Sequence, residues 1–73
     1  MELLTTYGHT FERYADVYKI DDGLYSITLT DYETRQGGHL RSTNFDDACI
    51  IAKCFVDKLI EFKFDYNKGL TFA

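Results

Sequence analysis

The sequence predicts an α+β fold: an antiparallel sheet of three to four strands with one long amphipathic helix packed on one face. Three observations carry that expectation. Residues 44–62, NFDDACIIAKCFVDKLIEF, have helical hydrophobic periodicity. Residues 20–25 set Asp22-Gly23 between apolar flanks, a strong short-range hairpin signal. The 73 residues include six Phe, six Tyr and no Pro, which is aromatic mass enough for one small core and too little punctuation for a linker. A single domain over residues 1–73 follows.

The helix has a clear start. Asn44 is the expected N-cap, with Thr43 as the alternative, because a short polar side chain can accept from a free amide of the first turn. Asp46 and Asp47 follow where carboxylates meet the positive end of the helix dipole. At about 100° per residue, Phe45, Ala48, Cys49, Ile51, Ala52, Phe55, Val56, Leu59, Ile60 and Phe62 share one half of the helix. Asp46, Asp47, Lys53, Asp57, Lys58 and Glu61 share the other, together with Ile50 and Cys54. Ile50 is the anomaly, a branched hydrophobe on the wet face. Phe55 and Leu59 are expected to lie buried over Tyr18, Ile27 and Leu40.

The strands are placed by the turn. With Asp22 and Gly23 as its two residues, Ile20 opposes Tyr25, Lys19 opposes Ser26, Tyr18 opposes Ile27 and Asp16 opposes Leu29. Side chains alternate faces along a strand. The expected core face then holds Tyr14, Tyr18, Ile20, Tyr25, Ile27 and Leu29, with Asp16 as its one misfit. The open face holds Arg13, Ala15, Val17, Lys19, Ser26, Thr28 and Thr30. Residues 3–7 suit either a short edge strand or a frayed end. A helical stripe of Tyr7, Phe11, Tyr14, Ala15 and Tyr18 competes over 10–18, and the hairpin signal weighs against it. Residues 31–37 read as a polar loop. Residues 38–43 read as a third strand, Leu40 inward and His39 and Arg41 outward. Asn67-Lys68-Gly69 reads as a turn, with residues 70–72 available as a further edge strand.

Composition bounds the function. Twelve acidic and eight basic residues give a net charge of −4, which disfavours nucleic acid as a direct ligand. No apolar run approaches the roughly 18 residues of a membrane span, and the N-terminus lacks a signal-peptide pattern. A cytoplasmic protein with no membrane partner is expected. Cys49 and Cys54 stand five apart on different faces of one helix, which suits reduced thiols. Two Cys and two His without ligand spacing do not make a metal site, and no cofactor is expected. No phosphate-loop, dinucleotide or nucleophile-elbow motif is present. Cys54, His39 and several Asp exist, but a chain this small has little room for a catalytic cleft. No enzymatic activity is expected.

Residues 18–59 resemble the βββα unit of HicB-type antitoxins. The resemblance rests on a strand, the Asp22-Gly23 turn, a second strand ending Thr30-Asp31, a third strand and a helix opening NFDDACIIA. Asn44 and Ala48 keep the Thr-x-x-x-Ala spacing of that family's helix. The sequence departs from it in lacking the Pro-containing loop and in the length of DYETRQGG. In general character, a small acidic, aromatic-rich, Pro-free domain also resembles the inhibitors that phages and mobile elements encode, such as anti-CRISPR proteins.

The functional expectation is a non-catalytic protein-binding module that inhibits or modulates a larger, nucleic-acid-handling machine. Its partner would be a protein or a protein–nucleic-acid complex, met through Ile50 with Asp46, Lys53, Cys54, Asp57 and Glu61. The alternative is an RNA-binding or antitoxin-like module that uses Arg13, Lys19, His39 and Arg41 on the open sheet face.

Overall fold

The computed structural model describes residues 1–9, 11–65 and 69–72, with side chains described up to Phe62. Four antiparallel strands run in the order β1 (Glu2–Gly8), β2 (Arg13–Asp21), β3 (Leu24–Asp31) and β4 (Gln36–Ser42). The helix α1 (Phe45–Val56) lies across β2 and β3 on one face. A second, two-stranded sheet follows, β5 (Phe62–Asp65) with β6 (Gly69–Phe72), next to β4. The α+β architecture expected from the sequence is the one observed. The strand expected over 70–72 is present as β6, but it pairs with β5, which was not expected, and not with the main sheet. The Asn67-Lys68 part of the expected turn lies outside the described residues.

The core is formed by Ala15, Val17, Ile27, Leu29, Ala48, Ala52 and Phe55, none more than 6% exposed. Ala48 and Ala52 carry only a methyl group each, so the helix backbone sits close on the sheet. Tyr7, Tyr25, Leu40, Ile51, Val56, Ile60 and Phe62 pack around this centre.

Strand β2 lies with the opposite face inward from the one expected. Val17 opposes Ile27, Ala15 opposes Leu29 and Lys19 opposes Tyr25, with an irregularity between Lys19 and Asp21. Ile20 is the extra residue. A turn of the type assumed from Asp-Gly needs positive φ at both central residues. Gly23 has φ 70, but Asp22 is not among the positive-φ residues. The slack is taken up as a bulge at Ile20. A one-residue slip reverses every side chain beyond it. Arg13, Ala15, Val17 and Lys19 therefore face the helix, while Tyr14, Asp16 and Tyr18 face outward. Asp16 is no misfit: on the outer face it accepts a hydrogen bond from the Thr6 hydroxyl at 2.7 Å. The faces expected for β3 and β4 stand, with Ile27 opposite Leu40 and Thr28 opposite His39.

The helix begins as expected. The Asn44 side chain accepts from the Asp47 amide at 3.0 Å, and the Ser42 hydroxyl accepts from the Asn44 amide at 3.1 Å. It ends at Val56, six residues short of the expected end. Lys58 turns left-handed at φ 61. Its amide bonds the Phe55 carbonyl at 3.1 Å, and the Leu59 amide bonds the Cys54 carbonyl at 2.9 Å. This is a Schellman end made without glycine. Leu59, expected in the core, is consequently 72% exposed. At the other hairpins, Gly8 has φ 94 and a Cβ there would strike the Arg13 carbonyl oxygen. The loop expected over 31–37 is shorter, because Gln36 and Gly37 already pair in β4. Asp31 draws the turn tight by accepting from the Glu33 amide at 3.1 Å.

Candidate functional site

Two surfaces present side chains that the fold does not consume. The first is the outer side of the helix. Ile50 is 59% exposed, as its anomalous position suggested. Cys54, one turn on, is half-buried, and Asp46, Lys53 and Asp57 around them are exposed. The Schellman turn leaves Leu59 exposed at the end of the helix, its amide bonded to the Cys54 carbonyl at 2.9 Å. Leu59 escaped sequence reasoning because helical periodicity was continued past a stop that no Gly or Pro marks. Glu61 does not belong to this surface. It lies beyond the helix and meets the Arg13 guanidinium through both carboxylate oxygens at 2.9 Å.

The second surface is the open face of the sheet. Tyr14 and Tyr18 on β2 stand beside a row of hydroxyls on β3, from Ser26, Thr28 and Thr30, and His39 and Arg41 on β4 lie on the far side of that row. A shallow trough of about 580 Å³ runs along it, lined by Met1, Ile20, Ser26, Thr28, His39 and Arg41 among others. Among the described residues Asp16 is the one carboxylate within the face, with Asp21 at its turn end. The tyrosines were missed because the expected register turned them inward.

Of the four basic residues expected on that face, only His39 and Arg41 are there. Lys19 points to the helix side and pairs with Asp22 at 3.2 Å, a hydrogen bond and attraction that raise its pKa. Arg13 is drawn into the structure. Its Nε donates to Asp31 at 3.3 Å and its Nη1 to the Phe55 carbonyl at 3.2 Å. The guanidinium also lies 4.8 Å from the centre of the Phe55 ring. The hydrogen bonds to Glu61 raise its pKa further, against the opposing effect of burial. A cavity of about 130 Å³ opens beside it, between Asp31, Gln36, Phe55, Glu61 and Phe62.

Phe11 and Tyr32 form an exposed edge-to-face pair, with ring centroids 5.3 Å apart, where the first and third turns meet. Among the described residues no three His, Cys, Asp or Glu side chains come together as metal ligands. No helix among them is long and apolar enough to cross a membrane. No family model matches the sequence, and no curated protein or solved structure matches it either.

Proposed function

We propose that the protein is a non-catalytic binding module that recognises a partner protein and modulates it by covering part of its surface. The observation that carries this reading is the row Ile50–Cys54–Leu59. Two large apolar side chains, 59% and 72% exposed, stand on the helix side with Asp46, Lys53 and Asp57 around them. Apolar anchors within a charged rim are the usual anatomy of a protein contact. The rim is mainly acidic, which suits a basic, nucleic-acid-handling partner and steers its approach. An inhibitor of host defence, of the kind phages encode, is the form of this function that the general resemblance implies.

A second reading has its own support. With Tyr14 and Tyr18 outward on β2, and His39 and Arg41 two strands away on β4, the open face has the aromatic rings on which sheet-type RNA binders stack bases. The loss of Arg13 and Lys19 from it, and the net charge of −4, favour the first reading.

The test is affinity capture from the source cell followed by calorimetry with the protein recovered. Ile50→Asp should leave the circular dichroism spectrum unchanged and weaken binding more than tenfold, about 1.4 kcal/mol or more. Unchanged affinity would remove the helix surface from the reading. Recovery of nucleic acid alone, bound with a steep salt dependence that Arg41→Ala relaxes, would replace it with the second.

A further inference from the structure

Strand β1 is a bare edge. Among the described residues its only strand neighbour is β2, whereas the opposite edge strand, β4, lies next to the β5–β6 hairpin. The His9 amide donates to the Arg13 carbonyl at 3.1 Å. In an antiparallel ladder, bonded and non-bonded pairs alternate. Tyr7 and Thr5 therefore bond to β2, and the backbone N–H and C=O of Thr6 point away from it. Leu3 opposes Tyr18, the residue after Val17, so its backbone groups point outward as well.

We propose that β1 pairs antiparallel with β1 of a second copy, about a two-fold axis at the Leu4–Thr5 peptide, joining two four-stranded sheets into one. In that register Leu3 of each copy opposes Thr6 of the other, and both residues have outward backbone groups to exchange. The bulge between Leu3 and Thr5 is what makes the register possible. Residues three apart on a regular strand face opposite sides. Here the extra residue, Leu4, puts Leu3 beside Tyr18 and Thr6 beside Asp16, both on the open face. The joint then runs in phase with the sheet on each side of the axis.

Charge is also compatible. Glu2 opposes Tyr7, so the two Glu2 carboxylates stand five residues apart across the joint. At about 3.3 Å per residue that is about 16 Å, roughly twice the screening length at physiological salt. Leu3 and Leu4, exposed by 53% and 37%, lie along the joint and would be covered by it. Edge strands left open are commonly guarded by Pro or by charges along the strand. Between Leu3 and Gly8 this one has neither, its one charge being Glu2 at the end, opposite Lys19. The inference is independent of the helix reading.

Light scattering after size exclusion, from about 5 to about 500 µM chain, tests it, because an interface of one strand pair is small and its occupancy follows concentration. The mass should rise from 8.5 kDa towards twice that value. Thr6→Pro removes an outward-facing amide together with the hydroxyl bond to Asp16, and should hold the chain at the monomer mass. Thr6→Val keeps the amide, loses the hydroxyl bond to Asp16, and should associate as wild type does. Independently of any variant, NMR on a mixture of labelled and unlabelled wild type should show contacts between Leu3 of one copy and Thr6 of the other. A monomer mass throughout the range, or intermolecular contacts on any other surface, would overturn the proposal.

Discussion

The two faces of the sheet divide the work of the molecule. The covered face holds Ala15, Val17, Ile27 and Leu29, each at most 1% exposed, under Ala48, Ala52 and Phe55. Arg13, at the end of that face, is engaged by Asp31, Glu61 and a backbone carbonyl. The open face holds tyrosines, hydroxyls, His39 and Arg41, with Met1 and Ile20 at the end of its trough. Stability is concentrated on one side of a layer that is one strand thick. The other side is free to vary in chemistry at little cost to folding.

The sharpest way to break that comparison is to cut into the covered face. Phe55→Ala should cost about 3–5 kcal/mol, since it removes a buried ring and leaves a cavity. Set against the few kcal/mol that a domain this small commands, the variant should be largely unfolded. Leu59→Ala, four residues on and at an expected core position, should stay within about 0.5 kcal/mol of wild type, because the side chain is already in water. Urea titration followed by circular dichroism measures both. Comparable losses would mean that the covered face extends past the end of the helix.

Arg13 sharpens the comparison at the boundary between helix and tail. It reaches from β2 to the helix end and to Glu61, so it clamps the segment that leads into the β5–β6 hairpin. Arg13→Met keeps much of the side-chain volume over Phe55 and removes the charge. The expected loss is about 1–2 kcal/mol, below the 3–5 kcal/mol of a fully buried pair, because the Glu61 side chain is 58% exposed and screened by water. Amide exchange around residues 58–62 should quicken more than exchange in the centre of the sheet. Uniform quickening would show that Arg13 supports the whole core and not the clamp alone.

How far the sequence disclosed this arrangement differs between helix and strand for a physical reason. The helix face tolerates a small error in boundary, because each residue adds only about 100° and the buried arc is broad. Asn44, Ala48, Ala52, Phe55 and Ile50 were all legible there. The strand has period two, so the single bulge at Ile20 inverted Tyr14, Asp16, Val17 and Tyr18 together. Asp16 was the signal of that inversion, a lone carboxylate on a face read as core. Lys58 gave no comparable signal, since a left-handed Lys looks like any other exposed Lys in a wet helical stripe. For the candidate site, Ile50 was visible in the pattern, whereas Leu59 and the two outward tyrosines depended on geometry that only the fold supplies.

The smallest effect concerns the rim of the covered face. Tyr7 on β1 touches the helix through Cys49, and a hydrogen bond to that thiol, with burial, raises the pKa of its hydroxyl above the ordinary value. The sign of the consequence follows from proton counts. An unfolded tyrosine loses its proton near pH 10, whereas Tyr7 in the folded chain still holds its own. The native state then binds more protons than the unfolded state, so stability falls as pH rises above about 10 and is complete below it. Tyr7→Phe keeps the ring against the helix and removes the titration. Urea midpoints measured between about pH 8.5 and about pH 11 should fall less steeply for Tyr7→Phe than for wild type, with both proteins folded at the lower limit. Parallel curves would mean that the Tyr7 hydroxyl is solvated in the native state and that its contact with Cys49 contributes nothing to the join between β1 and the helix.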